Sequence, residues 1–495
     1  MSSTSFPSSA VGLPQSLAYK LPPSLPDSAR AYNVSVSPNG ITQVIGQPIP
    51  VLYTLNAPLP PTAFNSQQIN FEIPCGQGAG VFLDPRETML SFRLTWTPTT
   101  TGATSGGSDC CLIGSGASFF DSLQLYSNNV PIETIGNYNL LHNMLLNSTV
   151  NSAERAGGCA VGVGCDNNSN SGINLAPGAG TYYYNFCLPL ISVIGLNCLD
   201  KLIPVGSIQN LVLQMQTANM LPVTTYCNGV STAGAVAAPI LDSFSLNMKY
   251  VDIGEGASAL MQQTLQDGKW FSKASTYTNS SITIPNGSNG TSSLVYQIRN
   301  SSLKSLFITN GITPSAICVN GYYDAVNIGL TSLQCSIGGS KFPNRPFNPS
   351  ARPAECFSGG LMAAWGASSL KSYGGTMTRG SYGASLARPA NSDDMMVVPA
   401  AGMRAFSFSE PSAPASYDTN QQNRVAQNPH MHYIGFDLER CQGALFSGVN
   451  TRSSPPYVDV TFGVATSSTV QSQAWGMSDC VLVVDTNTKS IQSFI

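Results

Sequence analysis

Apolar and polar residues alternate strictly along three segments of the chain, residues 91–96, 244–250 and 458–462. A period of two residues predicts β-strands that bury one face and expose the other. The side chains predicted to be buried are Phe92, Leu94, Trp96, Phe244, Leu246, Met248, Tyr250, Val458, Val460 and Phe462. Shorter runs of the same character are 281–284, 294–298 and 303–309. The 46 glycines and 33 prolines that punctuate the chain favour antiparallel sandwiches over alternating strands and helices.

A weak internal duplication divides the chain. The segment Leu123–Pro131 has a counterpart, Leu333–Pro343, that begins 210 positions later. Each copy reads as a strand, a turn pair (Asn128-Asn129 or Gly338-Gly339), a second short strand and a proline. A repeat near half the chain length predicts one β fold built twice, as two tandem antiparallel sandwiches of about eight strands each.

The elements around the two copies agree in order. Each copy precedes a helix-like stretch and a long Gly/Ser-rich excursion, over 153–181 and 372–427, which we expect to project as contact loops. The strands predicted after the excursions are 182–188, 209–216 and 244–251 in the first half and 433–439, 457–464 and 480–485 in the second.

Helices are expected to be few and short. Apolar residues at spacings of three and four predict a helix over 137–147, with Asn137 as its N-cap. Two further candidates are 257–266 and 354–370, the latter weakened by Gly359-Gly360. The predicted division of the chain is an N-terminal arm (1–44), a first sandwich (45–253), a linker with a short helix (254–268) and a second sandwich (269–495).

Charge is scarce, and this narrows the possible roles. Charged residues make up 9% of the chain and the net charge is -3, a composition that favours association over solubility as a monomer. The 22 lysines and arginines form no run, so direct nucleic-acid binding is not expected. Met1–Pro14 lacks the features of a secretory signal. The 13 cysteines are scattered without zinc spacing, and reduced thiols are the expected state.

Few residues form a pattern that is typical of a metal site or a catalytic site. His430 and His432 could join Asp437 and Glu439 as metal ligands, but a polar strand entry explains them more simply. His142 is expected to be a capped or surface histidine on the first helix. The chain shows no nucleophile elbow, phosphate loop or dinucleotide fingerprint, and the adjacent pair Asp393-Asp394 suits no acid–base mechanism. We therefore predict no catalytic, cofactor or metal site, and no enzyme activity.

Several motifs, taken in order, resemble those of the double jelly-roll major capsid proteins of double-stranded DNA viruses, in the lineage of polinton-like viruses, virophages and nucleocytoplasmic large DNA viruses. The segments that carry the resemblance are Phe119–Glu133 with the helix that begins at Tyr138, Leu246–Asp252, Ile434–Glu439, Phe446–Thr451 and Tyr457–Phe462. The resemblance extends over nearly the whole chain and implies that the fold is all-β, with two tandem eight-stranded jelly rolls.

The resemblance also implies a role. The chain would form a homotrimer, a pseudo-hexagonal capsomer that tiles an icosahedral shell, made and assembled inside the host cell. Its expected partners are neighbouring capsomers and penton and minor or cement proteins, with an internal membrane as a further candidate. The Pro- and Ser-rich arm would be disordered until it reaches such partners. The alternatives are a carbohydrate-binding or adhesive β-sandwich, such as a fibre or lectin-like protein, and a β-sandwich hydrolase.

Overall fold

A computed structural model gives the structure of the chain. It describes residues 29–38, 41–45, 68–78, 80–96, 109–151, 158–164, 171–175, 182–198, 201–218, 223–226, 240–264, 268–312, 325–366, 431–439, 446–466 and 469–495, and the single residues 154, 377 and 382. Most of the excursion over 153–181 and nearly all of that over 372–427 lie outside these ranges. The arm residues 1–28 lie outside them as well.

The first half of the chain forms two facing antiparallel sheets. One has the strand order β2-β1-β12-β4-β9 and the other β3-β10-β6-β7. These strands are β1 (Arg30–Ser37), β2 (Ile41–Ile45), β3 (Gln68–Ile73), β4 (Val81–Trp96), β6 (Phe120–Ser127), β7 (Val130–Gly136), β9 (Tyr182–Pro189), β10 (Leu211–Thr217) and β12 (Ile240–Asp252). Three short strands, β5 (Asp109–Ile113), β8 (Ser171–Leu175) and β11 (Val223–Tyr226), form a separate small sheet in the order β11-β5-β8.

The second half repeats this arrangement. Its sheets have the orders β13-β20-β15-β18 and β14-β19-β16-β17, and β21 pairs with β20 as an addition to the first of them. The strands are β13 (Lys269–Ile284), β14 (Gly290–Val295), β15 (Leu303–Ile312), β16 (Leu330–Ile337), β17 (Ser340–Phe347), β18 (Ile434–Asp437), β19 (Tyr457–Phe462), β20 (Val470–Asp485) and β21 (Ser490–Phe494).

The two halves share one topology. In the first half, the eight main strands in chain order are β1, β3, β4, β6, β7, β9, β10 and β12; in the second they are β13 to β20. In both, the first, eighth, third and sixth strands form one sheet, and the second, seventh, fourth and fifth form the other. Two packed four-stranded sheets connected in this way are a jelly roll. The predicted double jelly roll is confirmed.

The duplicated segments are equivalent hairpins. Leu123–Pro131 lies in β6 and β7, and Leu333–Pro343 lies in β16 and β17. Both residues of each predicted turn pair have positive φ: 50° and 63° at Asn128 and Asn129, 56° and 86° at Gly338 and Gly339. Positive φ at both central positions defines the type I′ turn of two-residue hairpins, which asparagine and glycine tolerate best.

The alternating side chains fill the two cores. Phe92, Phe244 and Val458, each from a predicted strand, are buried. Within the first core, the ring of Phe92 contacts those of Phe119, Phe120, Phe186 and Phe244 at centroid distances between 5.0 and 6.1 Å. The predicted buried residues Leu94, Leu246, Met248, Tyr250, Val460 and Phe462 are also buried, while the side chain of Trp96 lies outside the described residues.

Helices are short, as expected. The first predicted helix is α1 (Tyr138–Thr149) and the second is α2 (Glu255–Thr264). The third is shorter than predicted: Pro353–Glu355 is one helical turn, which continues as a π-helical segment, Cys356–Met362. Gly360 lets this segment pack closely on β18, because a Cβ there would lie 2.8 Å from the carbonyl oxygen of Gly435.

The predicted arm contains a strand. Residues 1–44 were predicted to be an arm that is partly disordered or a contact segment, and within it Arg30–Ser37 is a strand that pairs with β12 from Arg30–Asp252 to Val36–Leu246. The alternation of Val34 and Val36 with Ser35 and Ser37 was too short to stand out in a Pro- and Ser-rich segment.

Candidate functional site: the contact between the two jelly rolls

The two jelly rolls meet along the end of β7 and the start of α1. Trp475 on β20 is fully buried there, and its Nε1 donates to the carbonyl oxygen of Gly136 at 3.1 Å. Asn137, with φ 47°, turns the chain from β7 into α1. Its Nδ2 donates to Asn279 Oδ1 and to Gln473 Oε1, each at 2.9 Å. Partly buried polar contacts between two apolar cores fix one relative orientation of the barrels.

Asn137 therefore has a different role from the one predicted. It does occupy the residue before α1, but it makes no side-chain capping hydrogen bond. A cap needs the side-chain oxygen as an acceptor for the first helical N–H groups. Here the side-chain amide donates across the contact to the second jelly roll.

A carboxylate is buried in the same contact. Glu133 on β7 is almost inaccessible to solvent. Its Oε2 accepts from Ser192 Oγ at 2.5 Å and from the amide of Val193 at 2.9 Å, and its Oε1 accepts from Thr276 Oγ1 on β13 at 2.8 Å. The first two donors belong to the first jelly roll and the third to the second, so the carboxylate joins the two.

The environment of Glu133 changes its protonation. Burial raises the pKa of Glu133 from 4.5 to about 7, and the hydrogen bonds from Ser192, Val193 and Thr276 oppose this rise. Nearby titratable groups are the Tyr138 and Tyr277 hydroxyls and the Cys480 thiol; burial is the main cause that raises each of their pKa values, and the charge of Glu133 adds to it. Each of these neighbours is neutral near pH 7, so Glu133 is held by neutral donors.

The segment after β9 extends the contact. The carbonyl oxygen of Asn197 accepts from the amide of Ser275 at 2.9 Å, and Lys201 Nζ donates to the carbonyl oxygen of Phe271 at 3.1 Å. The rings of Phe82 and Trp270 pack at 5.8 Å. Apolar packing thus flanks the polar contacts on this side.

Strand β21 closes the contact on the other side. It pairs with β20 of the second jelly roll, while its side chains and amides reach the β6–β7 hairpin of the first. The amide of Ile491 donates to Ser127 Oγ at 3.2 Å, and Ser493 Oγ donates to the carbonyl oxygen of Ile132 at 2.5 Å. The last strand therefore belongs to one barrel by pairing and contacts both.

The three candidate metal ligands that the structure describes, His432, Asp437 and Glu439, do not form a common site. His432 is fully buried, with its ring 5.0 Å from that of Tyr382. Asp437 is half-buried, and burial is the main cause of its raised pKa. Glu439 instead pairs with Lys304 at 3.0 Å. Among the residues that the structure describes, no group of three or more potential ligands lies together. His430, Asp393 and Asp394 lie outside those residues.

His142 is not a surface residue. Helix α1 is buried on nearly every side, because it packs under the first jelly roll and also reaches the second, where Asn147 Nδ2 donates to the Tyr433 hydroxyl at 2.8 Å. His142 is therefore buried, and desolvation lowers its pKa to about 4. The predicted surface position is wrong because the contact between the two barrels buries polar residues of α1 as well as apolar ones.

Sequence reasoning missed Glu133 and Lys304. Glu133 ends a motif that was recognised only by resemblance, and nothing in its neighbours marks it as buried. Lys304 lies within a predicted strand, where a lone lysine normally faces solvent. Cys75, Cys335 and Cys356 are free thiols, and burial raises the pKa of each to about 12. Within the described ranges, no helix is both long and apolar enough to cross a bilayer.

Comparison with known proteins identifies relatives of the fold. No protein-family model matches this chain, and no curated protein matches it. Among solved structures, a chain in the cryo-EM structure of the Sputnik virophage is similar with a TM-score of 0.52 at 13% identity, over 90% of this chain and 89% of that one. The mavirus major capsid protein is similar with a TM-score of 0.50 at 10% identity, over 100% of this chain and 96% of that one. The likeness is one of fold, and it spans both jelly rolls.

Proposed function

We propose that this chain is a viral major capsid protein, a structural subunit with no enzyme activity. The fold supports this: two jelly rolls of identical strand order occupy one chain, and the similar solved structures include the mavirus major capsid protein. The observation that carries the proposal is the buried contact around Glu133, Asn137 and Trp475, which joins the two barrels into one body.

A joined pair of like barrels is suited to a particular assembly. Three copies around a threefold axis would present six jelly rolls of the same topology, which is a pseudo-hexagonal capsomer. Such capsomers can tile an icosahedral shell with nearly equivalent lateral contacts. A flexible link between the barrels would lose this equivalence, and the hydrogen bonds across the contact oppose that flexibility.

The surface also suits close packing against neighbours. Charged groups are few, so burial of the lateral faces desolvates few ions. Exposed apolar side chains occur on both jelly rolls: Val161 and Tyr183 on the first, Val295 and Val464 on the second. On β17, Pro343 and Pro346 remove two backbone donors from a sheet edge, which limits uncontrolled strand pairing.

The remaining assignments are part of the same proposal. The first jelly roll extends from β1, within the predicted arm, to about residue 253; a linker with α2 follows, and the second occupies 269–495. The partners are two further copies in a homotrimer, neighbouring capsomers, penton and minor or cement proteins, with an internal membrane as a possible neighbour. The protein would be made and assembled in the host cell and reside in the virion capsid.

The test is the assembly state of the purified full-length chain. Light scattering coupled to size exclusion should give the mass of a trimer at micromolar concentration, and the trimer should fail to bind a panel of immobilised glycans. A stable monomer at every concentration would contradict the capsid proposal. A monomer that also binds glycans would favour the adhesive alternative.

A further inference from the structure

A lysine and two carboxylates lie together inside the second jelly roll. Lys304 lies on β15, Asp479 on β20, and Glu439 just after β18; these three strands are neighbours in the order β20-β15-β18. The pairing of β15 with β20 shifts register at Lys304. A shift of this kind re-aims the side chain of the extra residue. The side chain of Lys304 consequently points to the carboxylates.

The geometry around Asp479 is asymmetric. Lys304 Nζ lies 3.0 Å from Glu439 Oε1 and 3.7 Å from Asp479 Oδ1. Asp479 Oδ2 accepts from Ser302 Oγ at 2.9 Å, whereas Oδ1 has no hydrogen-bond partner in the described part of the chain. The side chain of Asp479 is fully buried, and those of Lys304 and Glu439 are each 11% exposed. Ser447 Oγ donates to Glu439 Oε1 and helps to hold it.

If these three groups were only an ion cluster, they would contribute little to the stability of the fold. Two carboxylates against one ammonium leave an excess negative charge in a place that water barely reaches. Desolvation of such groups is unfavourable, and the attraction between them offsets it only when the geometry is good. Yet Oδ1 of Asp479 has no hydrogen-bond partner among the described residues, and the Lys304 ammonium is 3.7 Å away from it.

As reactants, the same groups are well arranged. A primary amine lies beside a carboxyl group, with a second carboxylate in hydrogen-bond contact with the amine. We propose that Lys304 and Asp479 condense to form an intramolecular isopeptide bond, and that Glu439 transfers the proton. The proposal concerns a covalent modification within one barrel, and it holds whether or not the chain assembles into a shell.

The atoms of the condensation balance without any co-reactant. One proton moves from the Lys304 ammonium to Asp479 Oδ1, which gives a neutral amine and a neutral acid. Nζ then attacks Cγ, and Ser302 Oγ donates to Oδ2 as negative charge develops there. Glu439 takes the second proton from Nζ and returns it to Oδ1, and the bond from Cγ to Oδ1 breaks. The products are an amide and one water molecule.

The site favours the condensation in two ways. Nζ lies 3.7 Å from Oδ1, which is bonded to the reacting carbon Cγ, and the fold keeps the amine and the carboxyl group together, as a reaction between held groups requires. Exclusion of water from Asp479 protects the amide from hydrolysis once it forms. The product would join two neighbouring strands covalently, and a reducing agent would not break it.

The direct test is the mass of the full-length chain, purified and then fully denatured. We expect the intact mass to be lower than the sequence mass by one water molecule. A tryptic digest should contain a branched peptide in which the fragment with Lys304 is joined to the fragment with Asp479. An intact mass equal to the sequence mass, with both fragments linear, would overturn the proposal and leave the cluster as a buried ion pair.

A variant tests the role of Glu439. Glu439→Gln keeps the size of the side chain but cannot carry the proton, so we expect at least a tenfold lower fraction of cross-linked chain. The matched control is Lys249→Met, which removes the lysine of the more exposed pair with Glu87 and should leave the fraction unchanged. Full cross-linking in Glu439→Gln would refute the role of Glu439. Since the wild-type mass is measured on denatured chain, neither misfolding of a variant nor failure to form trimers affects that result.

Discussion

Replacement of Glu133 by Gln should change how the stability of the protein depends on pH. Below pH 4.5 the carboxyl group is protonated in both the folded and the unfolded chain, so it has no effect on the pH dependence. Between 4.5 and about 7 the unfolded chain loses the proton first, and stability falls as pH rises. Above about pH 7 the carboxyl group is ionised in both the folded and the unfolded chain, and the loss of stability no longer changes with pH.

The size of the effect follows from the raised pKa. The pKa of Glu133 is 4.5 in the unfolded chain and about 7 in the folded chain. At about 1.4 kcal/mol per pKa unit, this difference corresponds to about 3 kcal/mol of stability. Gln keeps an acceptor for Ser192 and Val193, and its amide can donate to the Thr276 hydroxyl. Glu133→Gln should therefore match the wild type near pH 4.5 and exceed its stability by up to about 3 kcal/mol at pH 8.

The assay is urea unfolding from pH 4.5 to 8, followed by tryptophan fluorescence, because Trp475 lies in the same contact. The wild type should lose stability over this range relative to Glu133→Gln, and the difference should level off above pH 7. Glu72→Gln, which alters an exposed carboxylate on β3, is the matched control and should run parallel to the wild type. Parallel curves for Glu133→Gln and the wild type would refute the burial argument.

Three further predictions follow from the cores, the contact and the surface. Met248→Asp should abolish soluble protein, because an unpaired buried carboxylate is unfavourable by several kcal/mol. The control Ser245→Asp, on the other face of β12, should remain soluble, as measured by expression and sedimentation. A normal yield of soluble Met248→Asp would mean that the strand faces are assigned the wrong way round. Asn137→Asp should lower the free energy of unfolding in urea by about 1–3 kcal/mol, because it places a carboxylate against the side-chain oxygens of Asn279 and Gln473. An increase in stability would instead support the interpretation of Asn137 as a helix N-cap. The proposed trimer should show nearly the same dissociation constant from low to high salt in analytical ultracentrifugation, since few charges are available to be screened, and a steep salt dependence would contradict this.

The fold could be predicted to a large extent because its signals are local. Alternation at Phe244–Tyr250 and the turn pairs Asn128-Asn129 and Gly338-Gly339 depend on backbone geometry that a few residues determine. The equivalence of the two halves followed from the repeated order of such elements. Strand β1 was missed because its pairing partner in the jelly-roll sheet, β12, is more than 200 positions away in the sequence.

The functional contact could not be predicted, because it depends on residues that are distant in sequence. Glu133 is polar in a strand motif, and its burial follows only from the arrival of Thr276 and the segment at Ser192. His142 is buried because both barrels cover α1. Lys304 and Asp479 become neighbours only once β15 pairs with β20. In each case a long-range packing event decides the environment of a residue whose local sequence suggests a surface position.

Electron microscopy of the purified full-length protein tests the central claim most directly. If two rigidly joined jelly rolls per chain assemble in threes, class averages should show particles of hexagonal outline with threefold symmetry and six similar lobes. Particles of one or two lobes at every concentration, or averages with any other symmetry, would contradict the account.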